Sequence, residues 1–228
     1  MKKIIITLIA LVLVLSVGIV AFIGCKKNDD DNQSEEPTVT KKDLFEVVSE
    51  SKQATKIVTL VQYKTGNDTL EGEFVLVLVN DNASRLDYSY DEYNTIEDAT
   101  ELGGERIVNR NGHVIHMDGM YSTDEGKTWG AVAPDVKYNS LELNLDKSLL
   151  RDVAVSADGL SVVAKIDKAN FVSVIGVDLD TTEATITIIT DSKSLRSIKL
   201  EYTTAAGDIV VINTSYTYDA RSLADILK

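Results

Sequence analysis

The chain has 228 residues, 44% of them hydrophobic, with 23 basic against 36 acidic side chains, a formal net charge of −13 and one cysteine. That is the size of one ordinary domain with additions, and a lone cysteine excludes an intrachain disulfide and any CxxC-type zinc or redox site. The acidic balance repels phosphate backbones, and no cluster of Lys and Arg makes a local exception, so nucleic acid is excluded as a partner.

The apolar excess sits at the start. Of the first 24 residues 18 are hydrophobic, which leaves the remainder near 40%, an ordinary globular value, with a net charge of −15. Met1-Lys2-Lys3 forms a basic head, and residues 4–23 form an apolar run broken by Thr7, Ser16 and Gly18. About 20 such residues can span a bilayer. Ala21-Phe22-Ile23-Gly24-Cys25 follows and resembles the lipobox of a bacterial lipoprotein, with Phe22 where leucine is usual. The resemblance implies that 1–24 are a signal peptide and that Cys25, lipidated on sulfur, becomes the N-terminus. It would then hold the protein on the extracytoplasmic side of a bacterial cell membrane. One acyl chain anchors only marginally, at about 0.8 kcal/mol per buried methylene, so stable attachment needs several. The alternative is an uncleaved signal anchor with Cys25 as an incidental thiol.

Residues 25–42 are polar, acidic and free of aromatics, and cannot bury enough apolar surface to offset their ordering entropy, so they are expected to form a disordered tether. Asp29, Asp30 and Asp31 lack the spaced ligands and turn glycine of a calcium loop.

Residues 43–228 are expected to form one antiparallel β domain, because β-branched and aromatic runs alternate there with turn signals. Asp43 is placed to cap a helix over 44–53. Strands are expected over 55–64, 69–80 and 85–93, joined at Gly66-Asn67-Asp68 and at 81–84. Residues 105–110 and 113–118 flank Asn111-Gly112, the dipeptide most favourable to a type I′ hairpin. A helical turn is expected around 147–150, a hairpin about Asp158-Gly159, and a short helix capped by Asp167 and ending at Gly176. Strands over 184–190, 197–204 and 209–218 follow, then a terminal helix over 220–227 capped by Asp219. Short turns make sequential strands neighbours, so a single antiparallel sheet is expected.

Ile198, Leu200 and Tyr202 alternate with Lys199 and Glu201, which is a strand with one wet face. Residues 74–79 are instead apolar at six consecutive positions and need cover on both faces. The helices are the available cover for one face, and curling or a partner for the other.

This element order, together with the final stretch 185–219, resembles the lipoprotein-carrier group typified by the LolA and LprG families. The fold class expected is mainly β (α+β), a curved antiparallel sheet or half-barrel meander with a few short helices covering its concave face. The resemblance implies an acyl-chain cavity, with Ile57, Phe74, Leu76, Leu78, Ile186, Ile188, Ile198 and Leu200 in its wall. The same residues packed on one another as a dry core explain the same apolarity.

Ser122, Asp124, Gly126 and Trp129 stand in an SxDxGxTW segment that resembles the Asp-box of sialidases and other β-propeller proteins. It occurs once and without the repeat of propeller blades, so it is read as a stabilised hairpin turn. His113 and His116, three apart in a strand, point to opposite faces and cannot share a metal. No P-loop, GxGxxG or HExxH occurs, and neither a metal nor a cofactor is expected. The acidic segment with Asp87, Asp91, Glu92, Glu97, Asp98, Glu101 and Tyr88, Tyr90 and Tyr93 is expected to be a solvated edge and loop. Asp178 and Asp180 lack the remainder of a calcium loop. The expectation is a non-enzymatic, membrane-attached protein that binds an acyl chain or other hydrophobic ligand. The alternatives are a protein-interaction module with a filled core and, third, a carbohydrate-binding or glycan-processing protein.

Overall fold

The computed structural model describes residues 43–49, 53–95, 105–134 and 146–227. Helix α1 (Leu44–Ser49) opens on Asp43, whose Oδ1 accepts from the Phe45 amide at 3.0 Å. Strands β1 (Lys56–Thr65), β2 (Asp68–Asn80), β3 (Ala83–Thr95), β4 (Glu105–Met117) and β5 (Met120–Ser122) follow. After a 3-10 turn at Lys147–Leu149 come β6 (Arg151–Val155) and β7 (Ser161–Asp167), a 3-10 turn at Lys168–Asn170, and α2 (Phe171–Ile175). The chain finishes with β8 (Glu183–Thr190), β9 (Leu195–Thr203), β10 (Ile209–Thr217) and a 3-10 turn at Leu223–Asp225.

Among the described residues, all ten strands form one antiparallel sheet in the order β5-β4-β3-β2-β1-β10-β9-β8-β7-β6. Each strand pairs with its sequence neighbours, as short turns require, except that β5 and β6 stand at opposite edges. The first and last strands therefore meet in the middle, with Thr59 opposite Thr214 and Tyr63 opposite Val210.

Three local expectations are corrected. Asn111-Gly112 is no turn: β4 runs unbroken through it, Asn111 opposite Ser89 and Gly112 opposite Tyr88. The turn lies at Asp118-Gly119, whose φ values of 50° and 79° meet the type I′ requirement for two positive dihedrals. Only this later turn lets the thirteen-residue β3 pair along its whole length with β4. Asp167 ends β7 and makes no side-chain cap; its carboxylate takes Arg151 Nη2 at 3.0 Å instead. The terminal helix over 220–227 is replaced by a three-residue 3-10 turn in which Ser222 and Asp225 cap each other. Asp219 does not cap it; its carbonyl accepts from Thr55 Oγ1 at 2.5 Å.

The main core lies on one face of the C-terminal strands. Val162, Ile166, Ile186, Ile188, Ile198 and Leu200 are each at most 1% exposed, and Leu44 of α1 and Phe171, Val174 and Ile175 of α2 join them. Each such side chain contributes roughly 1.5–3 kcal/mol of burial. The opposite side of the β9 region is wet, with Lys199 and Glu201 paired at 2.8 Å. A second cluster forms on the other face of the N-terminal strands, where Ile226 lies among Ala83, Ile115, Val77, Val79 and Trp129. The chain's own C-terminal segment thus supplies cover there, where the sequence pointed to curling or a partner. Ile226 is fully buried, which gives this short segment a hydrophobic anchor without a helix.

Candidate functional site

Cross-strand partners share a sheet face, so the registers show which apolar residues lie together. One row runs Ile188, Ile198, Thr214, Thr59, Phe74, Tyr88, Gly112 from β8 to β4. A second runs Ile186, Leu200, Ile212, Val61, Gly72, Tyr90, and a third Tyr216, Ile57, Leu76, Leu86, Val114. Leu78, opposite Ser84, continues the same face. All eight residues expected to wall a cavity fall on this face.

Their burial divides at the centre of the sheet. Ile186, Ile188, Ile198 and Leu200 on β8 and β9 are fully buried. On β1 and β2, Phe74 is buried and Ile57, Leu76 and Leu78 are half-buried. Leu76 packs with Phe74, Leu86, Tyr88, Tyr90, Val61 and Val114 in a smaller cluster. Phe74 and Tyr90 are stacked at 5.9 Å between ring centroids, within the range where aromatic pairs attract.

Two polar features interrupt the face. Thr59 Oγ1 and Thr214 Oγ1 lie 3.2 Å apart in the central row, both buried. At one end, the Tyr63 hydroxyl donates to Asp208 Oδ2. The β9–β10 turn fixes the Asp208 backbone, since its amide donates to Thr204 Oγ1 at 3.1 Å and its carbonyl accepts from the Thr204 amide at 2.8 Å, and the Thr204 hydroxyl donates to Asp208 Oδ2 at 3.4 Å. Burial, then the Asp208 hydrogen bond, pushes the Tyr63 phenol well above its ordinary range; burial pushes Tyr202 up to about 12.

Beyond β5, the Asp-box-like segment forms a closed turn. Ser122 Oγ donates to Asp124 Oδ1 at 2.8 Å and accepts from the Gly126 amide at 2.9 Å. Asp124 accepts from the Thr128 amide at 2.9 Å and the Thr128 hydroxyl at 2.7 Å. These donors, the Thr128 amide foremost, hold its carboxyl at about 2. Gly126, at φ 75°, takes the left-handed conformation, and its carbonyl accepts from Trp129 Nε1 at 2.9 Å. The turn is tied to the sheet by Arg85, whose guanidinium reaches Asp87 at 2.8 Å, Glu125 at 2.8 Å and the Ile226 carbonyl at 3.3 Å. No local sequence pattern marks Arg85 as the tie, because Glu125 and the Ile226 carbonyl lie 40 and 141 residues from it.

The remaining candidates do not converge. His113 Nε2 accepts from the Glu125 amide at 3.2 Å, while His116 stacks on Tyr121 at 5.0 Å. Asp87 is paired with Arg85, Asp91 takes Asn109 Nδ2 at 3.0 Å, and Glu92 pairs with Arg110 at 2.7 Å. Among the described residues, no group of three His, Cys, Asp or Glu could hold a metal, and no helix is long and apolar enough to cross a membrane. Residues 1–24, expected to be a signal peptide, Cys25, the expected tether with Asp29, Asp30 and Asp31, and Glu97, Asp98 and Glu101 lie outside the described residues. The chain matches no protein-family model, and no curated protein matches it at a significant level.

Proposed function

We propose that this is an exported, non-enzymatic protein, held at the outer side of a bacterial cell membrane by lipid on Cys25, that binds an acyl chain or other hydrophobic ligand. In this reading the sheet curves as a half-barrel, and the ligand lies against its apolar face, with α1 and α2 on the concave side. The observation that carries it is the gradient along that face: sealed at Ile186, Ile188, Ile198 and Leu200, and only half-buried at Ile57, Leu76 and Leu78. A contiguous apolar surface left partly accessible is what a hydrophobic ligand requires. The pairing of Asp87, Asp91 and Glu92 with neighbours leaves less free charge for a protein-recognition surface in that segment.

Mass spectrometry of organic extracts from the purified full chain tests this, since a covalently attached lipid stays with the protein. Stoichiometric free lipid is expected across preparations. A reproducibly clean extract would favour the filled-core interaction module.

A further inference from the structure

We propose that the Thr59–Thr214 pair is the polar anchor of the apolar face and donates one hydrogen bond to an acyl oxygen, ester or carboxyl, of the bound ligand. This rests on the hydrophobic-ligand reading and names the chemistry that the face selects. Thr59 is 3% exposed and Thr214 1%, and they are the two buried polar side chains in a row whose other members are Ile188, Ile198, Phe74, the half-buried Tyr88 and Gly112. Two hydroxyls carry two protons. One proton is used in the 3.2 Å contact between them, whichever oxygen donates. The second has no acceptor among the described residues, and a buried donor without an acceptor forfeits the hydration it had in the unfolded chain.

The side chains beside the pair along its two strands are only half-buried. Along β1 it is flanked on the same face by Ile57 and Val61, and along β10 by Ile212 and Tyr216, and all four retain solvent-accessible surface. An elongated ligand lying across them would pass over the hydroxyls. The spare donor calls for an acceptor, which an acyl ester or carboxyl oxygen supplies and a plain hydrocarbon or an ammonium group does not. Apolar surroundings strengthen such a bond.

The test is displacement of the fluorescent probe phenylnaphthylamine from the full chain by methyl palmitate, palmitic acid and heptadecane. The ester or the acid is expected to outcompete the alkane by about fivefold to tenfold, the range of one net hydrogen bond. The order of ester and acid then tells a glycerolipid-like source from a free fatty acid. Thr59→Val and Thr214→Val alone each leave one hydroxyl proton and should keep most of the preference; the double variant should lose it while holding the alkane as tightly. Equal binding of all three competitors by the wild type, or a preference that survives in the double variant, overturns the proposal. Failure of all three competitors sinks the hydrophobic-ligand reading and this anchor with it. If the double variant does not fold, the carbonyl stretch of isotope-labelled methyl palmitate on the wild type decides. A band lowered relative to the ester in heptadecane supports the anchor, and an unshifted band overturns it.

Discussion

Tyr63 and Asp208, 145 residues apart, are joined by a hydrogen bond from phenol to carboxylate where β1 meets β10. This contact fastens the N-terminal half of the sheet to the C-terminal half, alongside the backbone ladder between the two strands. Tyr63→Phe keeps the ring among Leu70, Val210 and Tyr202 but leaves a buried carboxylate with only Thr204 as a side-chain partner among the described residues. A loss of about 1–3 kcal/mol is expected, within the range for a hydrogen bond to a charged group. Urea denaturation reads it directly, and a change within error would show that water replaces the phenol.

The same burial predicts how the phenols ionise. For Tyr63 and Tyr202 the folded protein holds the phenolic proton more tightly than the unfolded chain. Their contribution to stability is therefore complete below the ordinary phenol range near 10 and is lost as pH rises through the folded values, about 12 for Tyr202. Both are expected to ionise late, together with alkaline unfolding, in an ultraviolet titration of the nine tyrosines. Tyr63→Phe should remove one late phenol. Complete titration of all nine in one step near pH 10, with the fold intact, would contradict it.

Gly112 is held by Tyr88. A Cβ on residue 112 would lie 2.6 Å from Tyr88 Oη and 2.9 Å from its Cζ, so Gly112→Ala must push the ring aside. The contact is with the far end of a movable side chain, so a cost of about 1 kcal/mol is expected. Tyr88→Ala should abolish the extra penalty in a double-mutant cycle. An additive cycle would mean that the glycine serves something other than the ring.

Gly112 also marks where sequence reading met its limit. Alternation at Ile198, Leu200 and Tyr202 is local, and the structure has that strand with its dry and wet faces. The Asp158-Gly159 hairpin is local too, closed by Ser156 and Ser161. Asn111-Gly112 and Asp118-Gly119 offer the same turn signal seven residues apart, and the choice between them depends on the length of β3, a neighbour's property. Thr59 and Thr214 read as ordinary β-branched strand residues; their burial and contact arise from a pairing 155 residues apart. The C-terminal segment carries a helical pattern, but the burial of Ile226 in one cluster with Ile115 and Trp129 depends on residues far away in the chain, which no local pattern shows.

Cys25 carries the export reading. Cys25→Ala is expected to abolish incorporation of labelled palmitate and to move the protein from the membrane fraction to the medium, or leave its leader uncleaved. Labelling that persists in the variant would rule out lipidation at this residue. A wild-type protein that stays unlabelled but membrane-bound would favour the uncleaved anchor.

Asp124 makes the Asp-box-like turn acid-sensitive in a defined window. Its carboxyl is held at about 2 by the Thr128 amide and hydroxyl and the Ser122 hydroxyl, so the folded turn binds its proton less tightly than the unfolded chain does. The sign follows: this stabilisation is complete above the ordinary aspartate value near 4 and is lost as pH falls through about 2. Glu125, also held low by Arg85, acts in the same direction. Trp129 is the only tryptophan and donates its indole N–H to Gly126, so its emission reports the turn. Emission should be constant down to about pH 4 and shift between there and pH 2. Asp124→Asn keeps one acceptor oxygen for the Thr128 amide and Ser122 hydroxyl but has no carboxyl to titrate, so it should flatten that transition, while Glu125→Gln should leave a transition due to Asp124. An unaltered acid transition in Asp124→Asn would place its origin elsewhere, because no other acidic group accepts hydrogen bonds from both Ser122 and Thr128 among the described residues.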